Sequence, residues 1–447
     1  MSKFQVAYVP IGVPTFHLES AKLLFDESIS LLKSLSEDVV VPDEMLLSID
    51  GLNSFLDTVN PDLIVLQNIT FANAQYASEV LARFPQVPII LWTLREPVID
   101  GGRLRLNSLT GAYSAANTIK KYREGSFEYI YGGPSEEKVK SKIENTLKAA
   151  LVKKKLSQAK IASIGHTPQG FGFGRADDTE LLRYFGVRHV AIEVRELIDK
   201  AKTFSDEECA VYLNDAKERT VGLDNTLENN RLDFARLYKA YKEYVEENEI
   251  SAIASRCWPD FFTSFGTPVC AVLGILNDLG VASSCEADTY GALSMYIARE
   301  LSENPVFFGD PVSLNEEENS ISFWHCGMAA CSLAREDTGA VIGEHCNRHI
   351  GPTMEFGLKP AENVTVFRVG LDENRNFRFL IYSGEALDKP KQFFGTSMVV
   401  RTRENASEIV NKTVLEGWEP HFVVAYKDIA EELEILGHML GINVERI

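Results

Sequence analysis

Apolar and polar positions follow two different rhythms along this chain. FQVAYVPIGV, PDLIVLQN and VPIILWTLREP are short apolar runs that end in Gly, Pro or polar residues. Runs of this kind predict strands buried on both faces. Between them, SAKLLFDESISLLKSLS has apolar residues at helical spacing, with Leu23, Leu24, Ile29, Leu31 and Leu32 forming one face. The alternation predicts a parallel sheet covered by helices. It starts again after the charged amphipathic stretch PSEEKVKSKIENTLKAALVKKKLSQ. There KIASIG, HVAIEV, SAIASRCW and VASSCE read as strands, with a long acidic helical stretch from Asp206 to Asn248. From about Pro305 the rhythm changes. ENSISFWHCG, NVTVFRVG, FRFLIYSGE and SMVVRTR are short runs separated by Gly, Asn and Asp, the pattern of antiparallel strands and turns. KDIAEELEILGHML returns to a helix.

The expected fold class is α/β: two Rossmann-like parallel-sheet domains, residues 1–155 and 156–304, then a β-rich, barrel-like C-terminal domain, residues 305–447. Length supports several cores, since 447 residues exceed what one core takes, roughly 250–300. A formal charge of −19 argues against binding a nucleic-acid backbone, which needs clustered Lys and Arg. The basic triplet Lys153–Lys155 reads as a solvated helix end. Seven cysteines, an odd number without a CxxC pair, read as reduced thiols of a cytoplasmic protein. MSKFQVAYVPIG passes directly into a strand pattern without an apolar signal region. No apolar run approaches the ~18 residues of a membrane span. Neither a membrane nor a nucleic acid is therefore expected as a partner.

Candidate chemistry gathers at strand ends, where parallel sheets bind ligands. Gln67, Asn68, Trp92 and Arg95 fall there, with helix capping as the plainer alternative. In Arg256-Cys257-Trp258-Pro259-Asp260, Trp258 offers an aromatic face to a sugar ring and Asp260 a carboxylate to its hydroxyls. Packing and a turn at Pro259 would explain the same residues. The loop Gly165–Arg175 has neither the dinucleotide-binding G-x-G-x-x-G order nor a phosphate-binding Gly-Lys-Ser/Thr, and reads as a contact loop. Glu286 and Asp310 stand 24 residues apart, and His421 follows near the C-terminus. Two carboxylates and one imidazole can hold Mn²⁺, Co²⁺ or Mg²⁺ with positions left for substrate oxygens. A sugar chelated this way has a more acidic C–H between its oxygens, and a nearby carboxylate can remove that proton. Ordinary capping is the alternative for both carboxylates. His325 suits a substrate hydrogen bond or a packed core position beside Trp324. His345 and His349 have i, i+4 spacing, but Gly343, Gly351 and Pro352 exclude a helix. A loop over the site is expected instead, with His349 or Glu355 touching substrate.

The run from Val281 to Asp310, with Glu286, Asp288, Gly291 and Met295 before a strand ending in Phe308 and Asp310, resembles the ligand segment of the L-fucose isomerase family. His421-Phe-Val-Val-Ala-Tyr426-Lys-Asp428-Ile resembles that family's histidine-containing strand. The related L-arabinose isomerases share the three-part plan and have an extra histidine ligand in about the region of His325, which implies a fourth ligand there. The resemblance implies a metal-dependent aldose–ketose isomerase acting on a free, unphosphorylated sugar of the L-fucose or L-arabinose type through a cis-ene-diol. It makes Glu286, Asp310 and His421 the metal ligands, Glu286 and Asp310 the acid/base pair, and Mn²⁺ the leading cofactor, with Co²⁺ or Mg²⁺ as alternatives. It also implies a homo-oligomer, trimer or hexamer, with shared active sites. The chain is shorter than characterised L-fucose isomerases, which leaves the sugar open. An epimerase or other enediolate enzyme at the same metal site, and a non-catalytic sugar-binding protein, are the rival readings.

Overall fold

The computed structural model describes residues 3–122 and 127–447. The chain forms two compact units, Met1–Lys155 with Ile435–Gly441, and Leu156–Glu434 with Ile442–Ile447.

The first unit is built on five strands: β1 (Val6–Ile11), β2 (Val39–Val40), β3 (Leu63–Asn68), β4 (Ile89–Thr93) and β5 (Glu128–Tyr131). All pair in parallel in the order β2-β1-β3-β4-β5. Every residue of β1, β3 and β4 is buried, because helices cover both faces of the sheet. One layer packs Leu52, Leu56, Ala77, Val80 and Ile119 against Val9, Ile64 and Leu91. The other packs Ala21, Phe25, Leu32, Val139 and Ile143 against Tyr8, Val65 and Ile90.

The second unit begins with four parallel strands, β6 (Lys160–Ile164), β7 (Arg188–Ile192), β8 (Ala252–Ser255) and β9 (Ala282–Ser284), in the order β7-β6-β8-β9. It continues with β10 (Val306–Asn315), β11 (Ser320–His325), the short pair β12 (Ile342–Gly343) and β13 (Thr353–Met354), then β14 (Ala361–Leu371), β15 (Phe377–Ala386), β16 (Thr396–Thr402), β17 (Phe422–Ala425) and β18 (Asn443–Arg446). Antiparallel pairing runs β14-β17-β10-β11-β16-β15, and β15 pairs back to β14. The ring is thereby closed into a six-strand barrel, with β18 added in parallel on β15. Closure removes the exposed sheet edges such strands would otherwise carry.

The helix Thr289–Ser302 joins the two halves of this unit. It packs against β6, β8 and β9 on one side and β10, β14 and β17 on the other. Twelve of its fourteen residues are buried, so it lacks the polar face of a surface helix. Its first turn needs Gly291: a Cβ there would lie 2.6 Å from the Phe308 ring. This close approach sets the strand that carries Asp310 against the helix that follows Glu286. No helix among the described residues is long and apolar enough to cross a membrane.

Candidate active site

Glu286 lies in the turn between β9 and that helix. Both Glu286 and Ala287 adopt left-handed backbone, with φ of 50° and 54°. For residues with a side chain this costs about 1–3 kcal/mol each and persists only where surrounding bonds enforce it. Here the Ala287 N–H donates to the Ser255 carbonyl (3.1 Å) and the Asp288 N–H to the Cys285 carbonyl (3.0 Å). The Ser284 hydroxyl donates to the Asp288 carbonyl (2.7 Å), and the Asp288 carboxylate caps the helix by accepting from the Gly291 N–H (2.8 Å).

Asp288 does more than cap. Its oxygens accept from Arg368 Nη1 at 2.7 Å and Nη2 at 3.1 Å, and from His421 Nδ1 at 2.9 Å. Side-chain exposure is 0% for Arg368 and 1% for Asp288. Burial pushes the Asp288 carboxyl upward, but Arg368 and His421 outweigh it and hold the group far below the usual carboxylate range. An anionic Asp288 fixes the proton of His421 on Nδ1. The Nε2 lone pair is then left facing Glu286 Oε2 at 3.5 Å and Asp310 Oδ1 at 3.4 Å.

Asp310, His421 and His325 lie at the same end of three neighbouring barrel strands. Asp310 on β10 pairs with Trp324 on β11, next to His325, and Gly309 pairs with Phe422 on β17, next to His421. His325 Nε2 is 3.6 Å from Glu286 Oε2. Its Nδ1 accepts from the Cys326 N–H at 2.9 Å. In the neutral ring that bond puts the proton on Nε2, so His325 is a donor toward the site, opposite in tautomer to His421. Burial raises the Asp310 carboxyl above its ordinary value, against the pull of His421 and His325.

Glu286 Oε2 is buried and makes no hydrogen bond among the described residues. The gaps of 3.4 and 3.5 Å to His421 fall between the spacings of adjacent and opposite ligands on an ion at about 2.1 Å, roughly 3.0 and 4.2 Å. Glu286, Asp310 and His421 could therefore hold a hard divalent cation. Thiols border them. Donor atoms of Cys285, Glu286, His325 and Cys326 lie within 4.8 Å of one another, as do those of Cys270, Cys326 and His345.

These groups open into a cavity of about 500 Å³, within the usual range for a small-molecule site. An aromatic row forms one wall. Phe173 meets His421 edge-on at 5.4 Å, Phe171 meets Phe173 at 5.5 Å, and Trp258 meets Phe171 at 5.7 Å. Trp324, His345, Asn347 and Arg348 complete the lining.

No family model matches the chain. Over 445 residues it is 59% identical to the sulfoquinovose isomerase of Clostridium sp. (strain MSTE9), covering 100% of this chain and 99% of that protein. It is 37% identical over 449 residues to the sulfoquinovose isomerase of Priestia aryabhattai, with 100% and 99% covered. To that of Alkalicoccus urumqiensis it is 36% identical over 448 residues, with 99% of each covered. The chain belongs to the sulfoquinovose isomerase family. It is an isomerase, and its substrate class is a sugar.

Of the residues expected at the sugar-isomerase site, the structure brings Glu286, Asp310, His421, His325 and Trp258 around one cavity. It places six others, Gln67, Trp92, Asp260, His349, Glu355 and Arg95, outside that lining. Gln67 and Trp92 are fully buried in the core of the first unit. Gln67 accepts from the Tyr8 hydroxyl and donates to Ser28 Oγ, and Trp92 Nε1 donates to the Gly132 carbonyl. Both side chains face the helix layers and not the open end of the sheet. Asp260 is absent from the cavity lining and pairs with Arg256 at 2.8 Å. His349 is exposed, in left-handed backbone, and its N–H closes a turn on the His345 carbonyl (2.8 Å). His345 and Arg348 line the cavity in its place. Glu355 is the partner of Lys391, and Arg95 that of Glu136. The loop Gly165–Arg175 contributes Gly170, Phe171 and Phe173 to the wall.

Proposed function

We propose that this protein converts an open-chain, 6-sulfonated aldose of the sulfoquinovose type into its ketose through a cis-ene-diol, with a Mn²⁺-type cation held by Glu286, Asp310 and His421. The observation that carries this reading is the His421 Nε2 lone pair, locked by the Asp288–Arg368 pair and facing two carboxylates, one with a buried oxygen that has no hydrogen-bond partner. The family's substrate supports a sulfonated sugar in place of the L-fucose or L-arabinose type.

A divalent cation at this position supplies Lewis acidity, which makes the C2–H and the adjacent hydroxyl of the bound sugar more acidic. The chain's own groups then handle the protons. Asp310, whose carboxyl burial makes more basic, takes the proton from C2 and returns it to C1. Glu286 receives the proton that leaves the C2 hydroxyl and delivers it to O1, while His325 holds the sugar oxygen on its side through its Nε2–H, which it keeps. Phe173, Phe171 and Trp258 exclude water from the enediol and cover the apolar face of the chain.

The test is product analysis by NMR of the sulfonated aldose incubated with enzyme and Mn²⁺, or with EDTA. Ketose formed only with metal supports the reading. Accumulation of a C2 epimer without ketose would replace it with epimerase chemistry. Ketose formed equally well in EDTA would remove the metal from it.

A further inference from the structure

We infer that Arg348 reads the anionic end of the substrate and thereby selects sulfonated over uncharged aldoses. This inference rests on the reading above for the identity of the sugar, and on the cavity's own geometry for the residue.

Arg348 is the one lysine or arginine lining the cavity among the described residues. In a chain of net charge −19, the neighbouring cations have carboxylate partners: Arg256 has Asp260 and Lys391 has Glu355. Arg348 has no ion pair and no side-chain hydrogen bond among the described residues. It is held by two aromatic rings, with its guanidinium carbon 5.2 Å from the centre of Trp258 and 4.9 Å from that of Phe262. Ring contacts of this kind orient the guanidinium and consume none of its five N–H donors. An unpaired guanidinium on a cavity wall, in an acidic protein, lacks its counter-ion, and the ligand is the group that can supply one.

The aromatic row says which end of the ligand. It runs from His421 through Phe173 and Phe171 to Trp258, on which Arg348 stacks. The wall therefore has the acid/base cluster at one end and a cation at the other. A substrate lying along it has its carbonyl end at Glu286, Asp310 and His421 and an anion at its far end. A sulfonate on the terminal carbon fits, since it stays ionised and offers three acceptor oxygens to the guanidinium fork. An uncharged sugar would leave the guanidinium desolvated without a partner, and sites with unmet buried donors reject such analogues strongly.

The test uses alditols, which are reduced at C1 and cannot isomerise, so binding is separated from chemistry. Calorimetry in Mn²⁺ compares wild type, Arg348→Met and Arg348→Lys with three ligands: the 6-sulfonated alditol, its uncharged 6-deoxy counterpart and the 6-phosphorylated one. Expected is a roughly 10- to 150-fold loss of affinity for the sulfonated alditol in Arg348→Met. The loss should be smaller in Arg348→Lys, and binding of the 6-deoxy alditol should hold or improve in Arg348→Met and hold in Arg348→Lys, which also shows that the variants fold. Equal binding of the sulfonated alditol by wild type and Arg348→Met, or equal loss for charged and uncharged ligands, overturns the assignment. So does failure of wild type to bind it. Tighter binding of the phosphorylated alditol would overturn the choice of sulfonate. If the sulfonated alditol binds through Arg348 but the sulfonated aldose yields no ketose, the isomerase reading fails and the anion site stands.

Discussion

Replacing Asp288 with Asn tests the support beneath the site. Asp288 and Arg368 are fully buried together. Removing one charge of such a pair costs about 3–5 kcal/mol, because the other is left unpaired in the interior. Asn is as good a helix cap as Asp, so the bond from the Gly291 N–H survives and the loss isolates the charge. A unit of this size shifts its melting temperature by about 2–4 °C per kcal/mol, which gives a fall of roughly 6–20 °C. The same change loosens the tautomer lock on His421, and outer partners of this type are worth about 10- to 100-fold in metal affinity. Calorimetric melting and Mn²⁺ titration measure the two effects separately. The double variant Asp288→Asn with Arg368→Met should recover part of the stability, since no buried charge is then unpaired, and none of the metal affinity. Asp288→Asn melting within about 1 kcal/mol of wild type, or a double variant no more stable than Asp288→Asn, would refute the reasoning.

Trp258→Ala should raise KM for the sulfonated sugar roughly 10-fold with little change in kcat, because it removes a binding wall and the ring beneath Arg348; steady-state kinetics checks the split. In the first unit, the Arg95 guanidinium and the Gly133 N–H pull the Glu136 carboxyl from 4.5 down to about 2. That stabilisation is present above the unfolded value and lost as pH falls toward 2, so the melting difference between wild type and Glu136→Gln should shrink from pH 5 downward. All seven cysteines are free, six buried and Cys346 half-buried. A thiol reagent should therefore titrate about one group in the native protein, all seven in denaturant, and none natively in Cys346→Ser.

Hydrophobic rhythm was enough to read the α/β order, the parallel strands and the β-rich segment, because continuous apolar runs and short punctuated ones correspond to different burial. It did not show which face a strand-end residue takes. Gln67 and Trp92 illustrate this: their positions mark the end of a strand, while their side chains point into the helix layers. Glu286, Asp310 and His421 stood out as a set chiefly through the resemblance of their flanking motifs, since Asp310 and His421 meet only when β10 and β17 pair. Arg368 leaves a readable signal, a single charge inside the apolar run NVTVFRVG, which calls for a buried counter-ion. Arg348 left none. Its role depends on the Trp258 and Phe262 rings arriving beside it, from a segment about ninety residues earlier in the chain.

The most direct test of the proposed chemistry is deuterium incorporation in D₂O. The sulfonated aldose is incubated with Mn²⁺ and wild type, Asp310→Asn or Glu286→Gln, and the ketose is followed by NMR. Wild type should give ketose in which the C1 hydrogen is the one carried from C2, exchanged for deuterium only as far as the Asp310 carboxyl meets solvent, and both variants should lose turnover by at least about 10²-fold. Ketose from either variant at near wild-type rates would contradict proton transfer by these carboxylates.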